Sequence, residues 1–401
     1  MADLQGVEQA LAALLEGVEP LSAERLPCDQ AAGRILAQAV SARLDVPPFD
    51  NSAMDGYALH HDDAGGWLEV SQRIAAGAAG EPLSRGTCAR IFTGGVIPPG
   101  ADCVVMQERC RVEGLGVNTP REIPAGDNIR RRGRDVTAGD ELLPAGVPLE
   151  AAALGHLAGQ GITAVSVRRR PRVALLSTGD EIVDPGQPLG PGQIYNSNRP
   201  MLKRLLERFG ADVVRVASIP DDAEGTRQAL AAAAREAEVV ITTGGVSVGE
   251  EDHVKPAVES LGQLDLWRLA IRPGKPLALG RLRADSHEAR FVGLPGNPVS
   301  SFVGAWLFLR PLMGALLGAP SLAALPRLVA RADFTTTTGP RQHYMRVALA
   351  FTPEGIVAAA FSDQNSGVLS SCISADALAV IPPESRIEEG DTVDCLWLNG
   401  G

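Results

Sequence analysis

The sequence predicts a multi-domain protein that combines an α/β domain with β-rich parts. The chain has 401 residues, which at roughly 100 to 200 residues per domain is enough for two to four domains. Between residues 171 and 325, apolar strand-like runs alternate with helical patterns, and that alternation is typical of an α/β sheet. Two further regions, 46–144 and 326–401, consist of short β-type runs separated by Gly and Pro turns.

The composition is that of a folded protein without a broad surface for polyanions. The chain contains 37 Lys and Arg residues and 48 Asp and Glu residues, which gives a formal net charge of −11. This charge argues against nucleic-acid binding and against binding to an anionic membrane. Apolar residues make up 45% of the chain and charged residues 21%, as in ordinary globular proteins. Any anion-binding site is therefore expected to be local.

The cysteines and the apolar segments favour a cytoplasmic protein. The six cysteines form no C-x-x-C pair and have no zinc-site spacing with histidine. Residues 1–17 lack the pattern of a signal segment, so we expect a reducing compartment. The most apolar stretch, 302–317, is interrupted by Arg310 and Pro311 and falls short of the roughly 20 apolar residues of a membrane span. We therefore expect a core helix that is kinked at Pro311.

The N-terminal part is predicted to contain a β-rich lobe between two helical segments. Apolar residues in 4–18 recur at helical spacing, and residues 149–160 are again rich in Ala and Leu. The β-type runs between them are 67–74, 88–92 and 103–107. We therefore assign 1–45 and 145–170 to a helical linking or dimerisation domain, into which a β-rich lobe, 46–144, is inserted.

The region 171–325 is predicted to carry its function where its strands end. Its alternating elements are a strand at 173–176, a helix at 202–209, a strand at 213–219, a helix at 222–238 and a strand at 239–243. A parallel sheet covered on both faces binds ligands at the carboxyl ends of its strands. A helix from Pro298 to Leu317, capped by Asn297, ends this domain. Residues 326–401 then predict a small closing β-barrel or sheet.

Four loops of this region combine glycine with polar residues. They are 177–181, 242–245, 271–276 and 294–298. Glycine lets the backbone approach a ligand closely, and the N–H groups that open a helix can hold an anion. Any one of these loops could equally be an ordinary turn with capping residues. Four of them together favour a phosphate-binding site.

Carboxylates and cations accompany these loops. The carboxylates are Glu181, Asp221, Asp222 and Asp252, and the cations are Arg268, Arg272 and Lys275. Carboxylates can bind Mg²⁺ and bridge it to substrate phosphates, whereas guanidinium and ammonium groups bind anionic oxygens. Asp222 and Asp180 could instead cap helices. Three polar loops of the β-rich lobe, 47–57, 92–102 and 130–135, are further candidates, although most such loops only connect strands.

In this order, the loops resemble those of the molybdopterin molybdenumtransferases of the MoeA type, the family that also forms the C-terminal domain of gephyrin. The resemblance spans nearly the whole chain. Its motifs are PPFDNSAMDGYA (47–58), RIFTGG (90–95), PPGADCVVMQE (98–108), RRRGRDV (130–136), STGDEIV (177–183), TTGGVSVGEEDHVK (242–255), IRPGKPLALG (271–280) and LPGNPVSSF (294–302). The resemblance implies a doubly wound, three-layer α/β domain like that of the molybdopterin adenylyltransferases, followed by a C-terminal β-barrel.

The family's activity is implied in the same way. It is insertion of molybdate into adenylylated molybdopterin, with Mg²⁺-dependent cleavage of the phosphoanhydride, release of AMP and completion of the molybdenum cofactor. Mg²⁺ is then the cofactor and molybdate a substrate. The resemblance also implies a homodimer in which two subunits share each active site, together with other molybdenum cofactor biosynthesis proteins as partners. The dithiolene sulfurs of the substrate would supply the metal ligands, so no cysteine cluster is needed.

The family's functional positions can be transferred onto this sequence. The catalytic group is Asp55, Thr93, Asp135, Glu181 and Asp252. The substrate and molybdate group is Arg268, Arg272, Lys275, Pro295, Pro298, Ser366 and Arg346. The nucleotide group is Thr178, Gly179, Glu181, Asp221, Gly244 and Gly245. The proposed Mg²⁺ ligands are Glu181, Asp221 and Asp252.

The chain departs from the family pattern at four positions. Arg268 and Arg272 stand where lysine is common, Arg134 where an acid often precedes Asp135, and His253 where tyrosine is usual. The guanidinium of arginine is a planar fork of donors, whereas the ammonium of lysine is a point charge. We therefore expect a molybdate affinity different from that of family members with lysine at these positions.

Two other functions stay open at this stage. One is a non-catalytic scaffold or partner-binding module of the same fold, and the other is a molybdopterin adenylyltransferase. The adenylyltransferases share only the α/β domain, so the β-rich lobe and the C-terminal domain favour the molybdenumtransferase.

Overall fold

The structure is a computed structural model that describes residues 4–220, 222–245, 253–285 and 287–398. The chain divides into two compact units. The large unit comprises Met1–Gln38, Ala145–Ala151 and Ala164–Gly401, and the small unit comprises Ala39–Pro144 and Ala152–Thr163. The finer division into four domains stays a prediction.

The large unit is built around a six-stranded sheet. In spatial order the strands are Asp212–Ser218, Arg172–Ser177, Val239–Thr243, Glu288–Leu294, Pro276–Arg283 and Gly262–Arg268. The first four run parallel, whereas the last two are antiparallel to their neighbours. The predicted parallel sheet is thus extended at one edge by two antiparallel strands. Short turns join the last three strands along the chain, and short turns can join only antiparallel strands, because a parallel pair needs a long crossover.

The strand residues alternate between two cores, which explains the apolar runs in the sequence. Val173 and Leu175 face one core, and Ala174 and Leu176 face the other. Strands that are buried on both faces read as continuous apolar runs. The first core is covered by helices Val7–Leu15, Asn198–Arg208 and Pro298–Leu317, and the second by helices Ala223–Glu236 and Val254–Leu261. The predicted three-layer α/β domain is confirmed.

The helix Pro298–Leu317 begins as predicted but bends differently. Asn297 precedes it in extended conformation but makes no side-chain capping hydrogen bond, and Pro298 occupies the first helical position. Instead of a simple kink at Pro311, the helix contains a wider π-helical turn at Ala305–Leu309. Proline lacks the N–H that would bond to the preceding turn, and π turns accommodate such interruptions. The helix has 20 residues and is apolar enough to cross a membrane, but 89% of its apolar stretch is buried inside the protein, as expected of a core helix.

The C-terminal strands close into a five-stranded barrel. In order around the barrel they are Gln342–Thr352, Gly355–Ala360, Arg327–Ala332, Thr392–Trp397 and Ala377–Ile381. Closure comes from antiparallel pairing of the first strand with the last, and the predicted β-barrel is confirmed. A short strand, Ile271–Arg272, pairs in parallel with the start of the first strand. The loop that carries Arg272 and Lys275 is therefore attached to the barrel.

The rest of the large unit consists of short elements. Strands Ala23–Pro27 and Ala164–Arg168 form an antiparallel pair. The other short pairs are Ile182–Val183 with Ile194–Tyr195 and Thr336–Thr337 with Arg386–Ile387. The short helices are Cys28–Gln30, Pro320–Ala323 and Ser370–Ile373.

The small unit contains the β-rich lobe. Its six-stranded sheet has the spatial order Cys103–Met106, Gly56–Leu59, Thr87–Ile91, Trp67–Ile74, Gly116–Asn118 and Arg111–Glu113. Two-stranded pairs join Asn51–Ser52 to Ile129–Arg130 and Val40–Ser41 to Glu141–Leu143. The helical elements are Ala151–Gly159 and the short turns His61–Asp63 and Gln107–Arg109.

Candidate functional site

A polar cleft of about 470 Å³ lies between the loops of the central sheet and the barrel, within the large unit. Six predicted site residues line it: Gly244, Gly245, Arg272, Lys275, Pro295 and Ser366. Asn297, from the predicted loop 294–298, also lines it, and the sequence prediction missed other lining residues, among them Ser300, Arg341, Gln364 and Asn365. The fold thus brings together segments that are far apart in the sequence.

The cleft has the charge of an anion-binding site. Arg272, Lys275 and Arg341 contribute three cationic side chains to the described lining, which contains no carboxylate. Ser300 and Ser366 add hydroxyl groups at the same cleft. Guanidinium groups, ammonium groups and hydroxyls are the donors that proteins use to hold oxyanions. The cleft therefore provides the local anion site that the acidic composition requires.

The backbone around Arg272 and Lys275 is held from two sides. The N–H of Leu269 donates to the carbonyl of Lys275 at 2.8 Å. On the barrel side, the N–H of Gln342 donates to the carbonyl of Ala270 at 2.8 Å. The cations thus project from a turn whose ends are anchored to regular structure, and this limits the conformational entropy lost when a ligand binds.

The two glycines of the cleft have positive φ angles that suit glycine alone. They follow strand Val239–Thr243, and the φ angles of Gly244 and Gly245 are 90° and 66°. A Cβ at Gly244 would lie 2.8 Å from Thr178 Oγ1, and a Cβ at Gly245 would lie 2.5 Å from Val254 Cγ2. The predicted nucleotide residue Thr178 is therefore a neighbour of both glycines, although it does not line the cleft itself.

We expect Gly245→Ala to lower the free energy of unfolding by about 1–3 kcal/mol, because the new methyl group meets Val254 and favours a negative φ. Gly296→Ala is the matched control, since a Cβ there would have no atom within 4 Å. Urea denaturation of both variants measures the difference. Equal stability of the two variants would contradict this account of the Gly245 turn.

The other predicted residues of the α/β domain lie elsewhere. Glu181 folds back so that its carboxylate lies near Gly179, where a Cβ would be 2.4 Å from Glu181 Oε2. Arg268 ends an edge strand and Pro298 begins the long helix, and neither belongs to the lining of the cleft. Asp221 and Asp252 lie outside the described residues.

The structure shows which of the two aspartates that could cap a helix does so. Asp222 caps helix Ala223–Glu236, because its Oδ1 accepts a hydrogen bond of 2.7 Å from the N–H of Gly225. Asp180 does not cap a helix, since strand Ile182–Val183 follows it.

Arg346 lies beneath the cleft rather than in its lining. Its side chain is completely buried, and its guanidinium donates to Ser371 Oγ at 3.0 Å. Further hydrogen bonds of 3.1–3.3 Å run to the backbone carbonyls of Asp363, Gln364 and Asn365. The predicted ligand arginine therefore positions the loop that contributes Gln364, Asn365 and Ser366 to the cleft.

His343 is a buried residue that the prediction missed. It lies opposite Arg272 in the parallel strand pair, it is 6% exposed, and its Nε2 has no hydrogen-bond partner among the described residues. Burial, reinforced by the charges of Arg272, Arg346 and Arg341, lowers the pKa of His343 from 6.5 to about 4. The imidazole is therefore neutral near neutral pH.

This lowered pKa makes the protein sensitive to acid. Because the unfolded chain binds a proton at His343 more readily than the folded protein does, the free energy of unfolding should fall as the pH drops from 6.5 towards 4. We expect His343→Leu to lose part of this dependence in urea melts recorded across that range. Identical pH profiles for His343→Leu and the wild type would contradict the prediction.

In the small unit, Asp55 and Thr93 form a pair. Asp55 Oδ1 accepts hydrogen bonds from the N–H and the Oγ1–H of Thr93, both at 2.8 Å. These bonds, helped by the charge of Arg90, lower the pKa of Asp55 below its ordinary value. The guanidinium of Arg90 lies over the rings of Tyr57 and Phe92 and donates to the carbonyl of Gly56 at 2.8 Å. The fold thus presents an ionised carboxylate on an ordered turn.

Asp135, the third predicted residue of this unit, is exposed on another loop. Its backbone N–H donates to the carbonyl of Val46 at 2.9 Å. Its carboxylate lies 3.7 Å from His156 Nε2. His253, where the family usually has tyrosine, stands at the start of helix Val254–Leu261 in the large unit.

Family models match the chain in three consecutive parts. They are the MoeA N-terminal region (domain I and II) at residues 5–161, a probable molybdopterin binding domain at 174–315, and the MoeA C-terminal region (domain IV) at 327–398.

Curated proteins and solved structures agree with these matches. The molybdopterin molybdenumtransferase of Haemophilus influenzae is 37% identical, over 96% of this chain and 97% of its own length. That of Nostoc sp. is 38% identical, over 91% and 86%. Two crystal structures of the MoeA protein from Pyrococcus horikoshii have TM-scores of 0.80 and 0.84 at 30% and 27% identity, and the matches cover at least 98% of each chain. The chain therefore belongs to the MoeA family and, like the molybdopterin molybdenumtransferases that it matches, is a transferase.

Proposed function

We propose that this protein inserts molybdate into adenylylated molybdopterin, with Mg²⁺-dependent cleavage of the phosphoanhydride and release of AMP. The observation that carries the proposal is the cleft with Arg272, Lys275 and Arg341 and no carboxylate in its described lining. The names of the curated relatives support the same reaction class. In this proposal molybdate occupies the cleft.

The donors of the cleft suit a tetrahedral dianion. The two guanidinium groups can each offer a pair of parallel N–H donors, and Lys275 adds a point charge. Hydroxyls of Ser300 and Ser366 would complete the contacts. Molybdate and the phosphates of the substrate repel each other, so the main task of these residues is to hold both anions close together and in a fixed orientation.

The nucleotide end of the substrate is assigned to the neighbouring loops. Where strands Arg172–Ser177 and Val239–Thr243 end, Gly179 and Gly245 offer backbone N–H groups and Thr178 a hydroxyl. The N–H groups of Thr178 and Gly244 donate instead to the carbonyls of Thr243 and Leu294. Ligands of open α/β sheets bind at such strand ends. This assignment places the AMP moiety beside the cleft that receives molybdate.

Mg²⁺ would be held by Glu181 with Asp221 and Asp252. Among these three, Glu181 is the described residue; it is exposed, and its carboxylate makes no hydrogen bond or ion pair to a described residue. An exposed carboxylate without a cationic partner fits a hard cation that prefers oxygen ligands. When bound, the ion would neutralise charge on the phosphates.

The sulfur ligands of molybdenum are assigned to the substrate rather than to the protein. Burial raises the pKa values of Cys88, Cys103 and Cys395 to about 12. Thiols with such pKa values are protonated at neutral pH and bind metals poorly. This supports a mechanism in which the dithiolene of the pterin receives the metal.

The β-rich lobe and the dimer belong to the same proposal. Asp55, Thr93 and Asp135 are assigned to the active site from the lobe of one subunit, facing the α/β domain of a second subunit in a homodimer. The family motifs around them support this assignment. A cytoplasmic location and contacts with other molybdenum cofactor biosynthesis proteins remain predictions of the sequence.

The direct test is turnover by the purified full-length protein. Adenylylated molybdopterin is incubated with Mg²⁺ and molybdate, and both AMP release and cofactor formation are measured. We expect both products, with little AMP when Mg²⁺ or molybdate is omitted. Absence of turnover by protein that melts cooperatively would favour the scaffold. Adenylyl transfer from ATP to molybdopterin would favour the adenylyltransferase.

A further inference from the structure

Two neighbouring histidines and two aspartates form a cluster in the small unit that the proposed reaction does not use. His60 and His61 follow strand Gly56–Leu59, so they lie at the end of the strand opposite Asp55. Five residue steps of extended chain lead from Asp55 to His60, which corresponds to about 16 Å. Asp102 joins the histidines from a neighbouring segment.

The nitrogen atoms of both imidazoles converge on one carboxylate. His61 Nδ1 lies 2.6 Å from Asp102 Oδ2, and His60 Nε2 lies 3.7 Å from the same oxygen. The three ligand atoms all lie within 4.8 Å of one another. The opposite edges of the rings face Asp62, whose carboxylate oxygens lie 3.1 Å from His61 Nε2 and 3.6 Å from His60 Nδ1.

Asp102 is oriented by the backbone. Its Oδ1 accepts a hydrogen bond of 2.7 Å from the N–H of His61, so that Oδ2 points towards the two rings. Hydrogen bonds of this kind orient the ligands of metal sites. The side chains of His60, His61 and Asp102 are 28%, 37% and 31% exposed, which leaves an entry path for an ion.

The charge of the cluster matches a divalent cation. Asp62 and Asp102 both face the imidazoles, and Arg85 lies 2.9 Å from Asp63 and 3.9 Å from Asp62. With neutral histidines, these three carboxylates and one guanidinium leave two negative charges at the cluster. Imidazole nitrogens prefer Zn²⁺, Co²⁺ or Ni²⁺ to Mg²⁺ and Ca²⁺.

We propose that His60, His61 and Asp102 bind a divalent transition metal ion of the Zn²⁺ type, with water completing the coordination. Ligands of a tetrahedral zinc ion lie about 3.3–3.5 Å from one another, given bonds of about 2.0–2.1 Å. The rings are stacked with centroids 4.9 Å apart and planes 22° apart. A rotation of these partly exposed rings is therefore needed to bring both nitrogen lone pairs onto one ion.

The competing interpretation is an ion-pair network without metal. In that case a protonated His61 donates from Nδ1 to Asp102 and from Nε2 to Asp62, at 2.6 and 3.1 Å. The two interpretations differ in what they predict for added metal, and neither depends on the reaction proposed above.

The test is metal binding by the full-length protein after treatment with a chelator. Zn²⁺ is titrated by calorimetry at neutral pH in the presence of excess Mg²⁺, and Co²⁺ is titrated by its visible absorption. We expect one tight ion per chain that Mg²⁺ does not displace, and Co²⁺ bands characteristic of nitrogen and oxygen ligands.

Variants locate the ion. His61→Ala and Asp102→Asn should each weaken Zn²⁺ binding by about 10- to 100-fold, with thermal melts confirming that both fold. Asp102→Asn keeps an oxygen acceptor for the N–H of His61. His287→Ala, which removes a histidine of the large unit, should bind Zn²⁺ like the wild type. Absence of saturable binding, or unchanged binding by folded His61→Ala, would overturn the proposal in favour of the ion-pair network.

Discussion

Arg346→Met should lower the free energy of unfolding by about 3–5 kcal/mol, because it leaves several buried acceptors without a donor. The guanidinium is completely buried. It donates to Ser371 Oγ and to the carbonyls of Asp363, Gln364 and Asn365. Methionine has a similar length and is apolar, so the loss is one of hydrogen bonds rather than of packing. Urea denaturation monitored by circular dichroism measures the change.

Arg341→Met is the matched control for this prediction. Arg341 immediately precedes the strand that contains Arg346 and lines the cleft, and it donates a long hydrogen bond of 3.5 Å to the carbonyl of Ile271. Its replacement should change the free energy of unfolding by less than about 1 kcal/mol. Arg346→Lys should fall between the two, since an ammonium can satisfy some but not all of the carbonyls. If Arg346→Met were as stable as Arg341→Met, the positioning role of Arg346 would be wrong.

The role of Arg346 shows where sequence reasoning fails at the site. An arginine within a strand has the same sequence signal whether its guanidinium faces a ligand or donates to carbonyls beneath a loop. Burial decides between these roles, and burial depends on the barrel that closes around the residue. Arg341, which immediately precedes strand Gln342–Thr352, was missed for a related reason, because a lone arginine outside any recognised motif carries no signal of its own.

The fold was more predictable than the site because it follows from periodicity. The alternation of Val173 to Leu176 between two cores produces a continuous apolar run that identifies a strand buried on both faces. Strand direction has no such signal. The strands Gly262–Arg268 and Pro276–Arg283 look like the others in sequence, and only the short connections between them specify antiparallel pairing.

The cleft contains residues that the sequence predicts and residues that it does not. Gly244 and Gly245 were predictable because positive φ angles at a strand end require glycine. Gln364 and Asn365 were not, since they reach the cleft through a loop of the barrel whose position depends on long-range packing. Residues from such loops are common in binding sites and rarely have a local sequence signature.

Arg272→Ala should raise the molybdate concentration needed for half-maximal turnover by about 10- to 100-fold, the equivalent of one lost charge-assisted contact of about 1.5–3 kcal/mol. This expectation depends on the proposed function. The affinity for AMP should change little, because Arg272 lines the cleft whereas Thr178 and Gly179 of the assigned nucleotide loop do not. Molybdate titrations of AMP release, together with calorimetric titration of AMP, separate the two effects.

Two further variants make this prediction specific. Arg272→Lys keeps the charge but loses the planar pair of donors, so it should recover part of the molybdate affinity. Arg268→Ala removes the other arginine that stands where the family often has lysine, but Arg268 does not belong to the lining of the cleft. We therefore expect a smaller effect for Arg268→Ala than for Arg272→Ala. A loss of AMP affinity in Arg272→Ala without a change in the molybdate requirement would show that the cleft binds the phosphate of the nucleotide instead of molybdate.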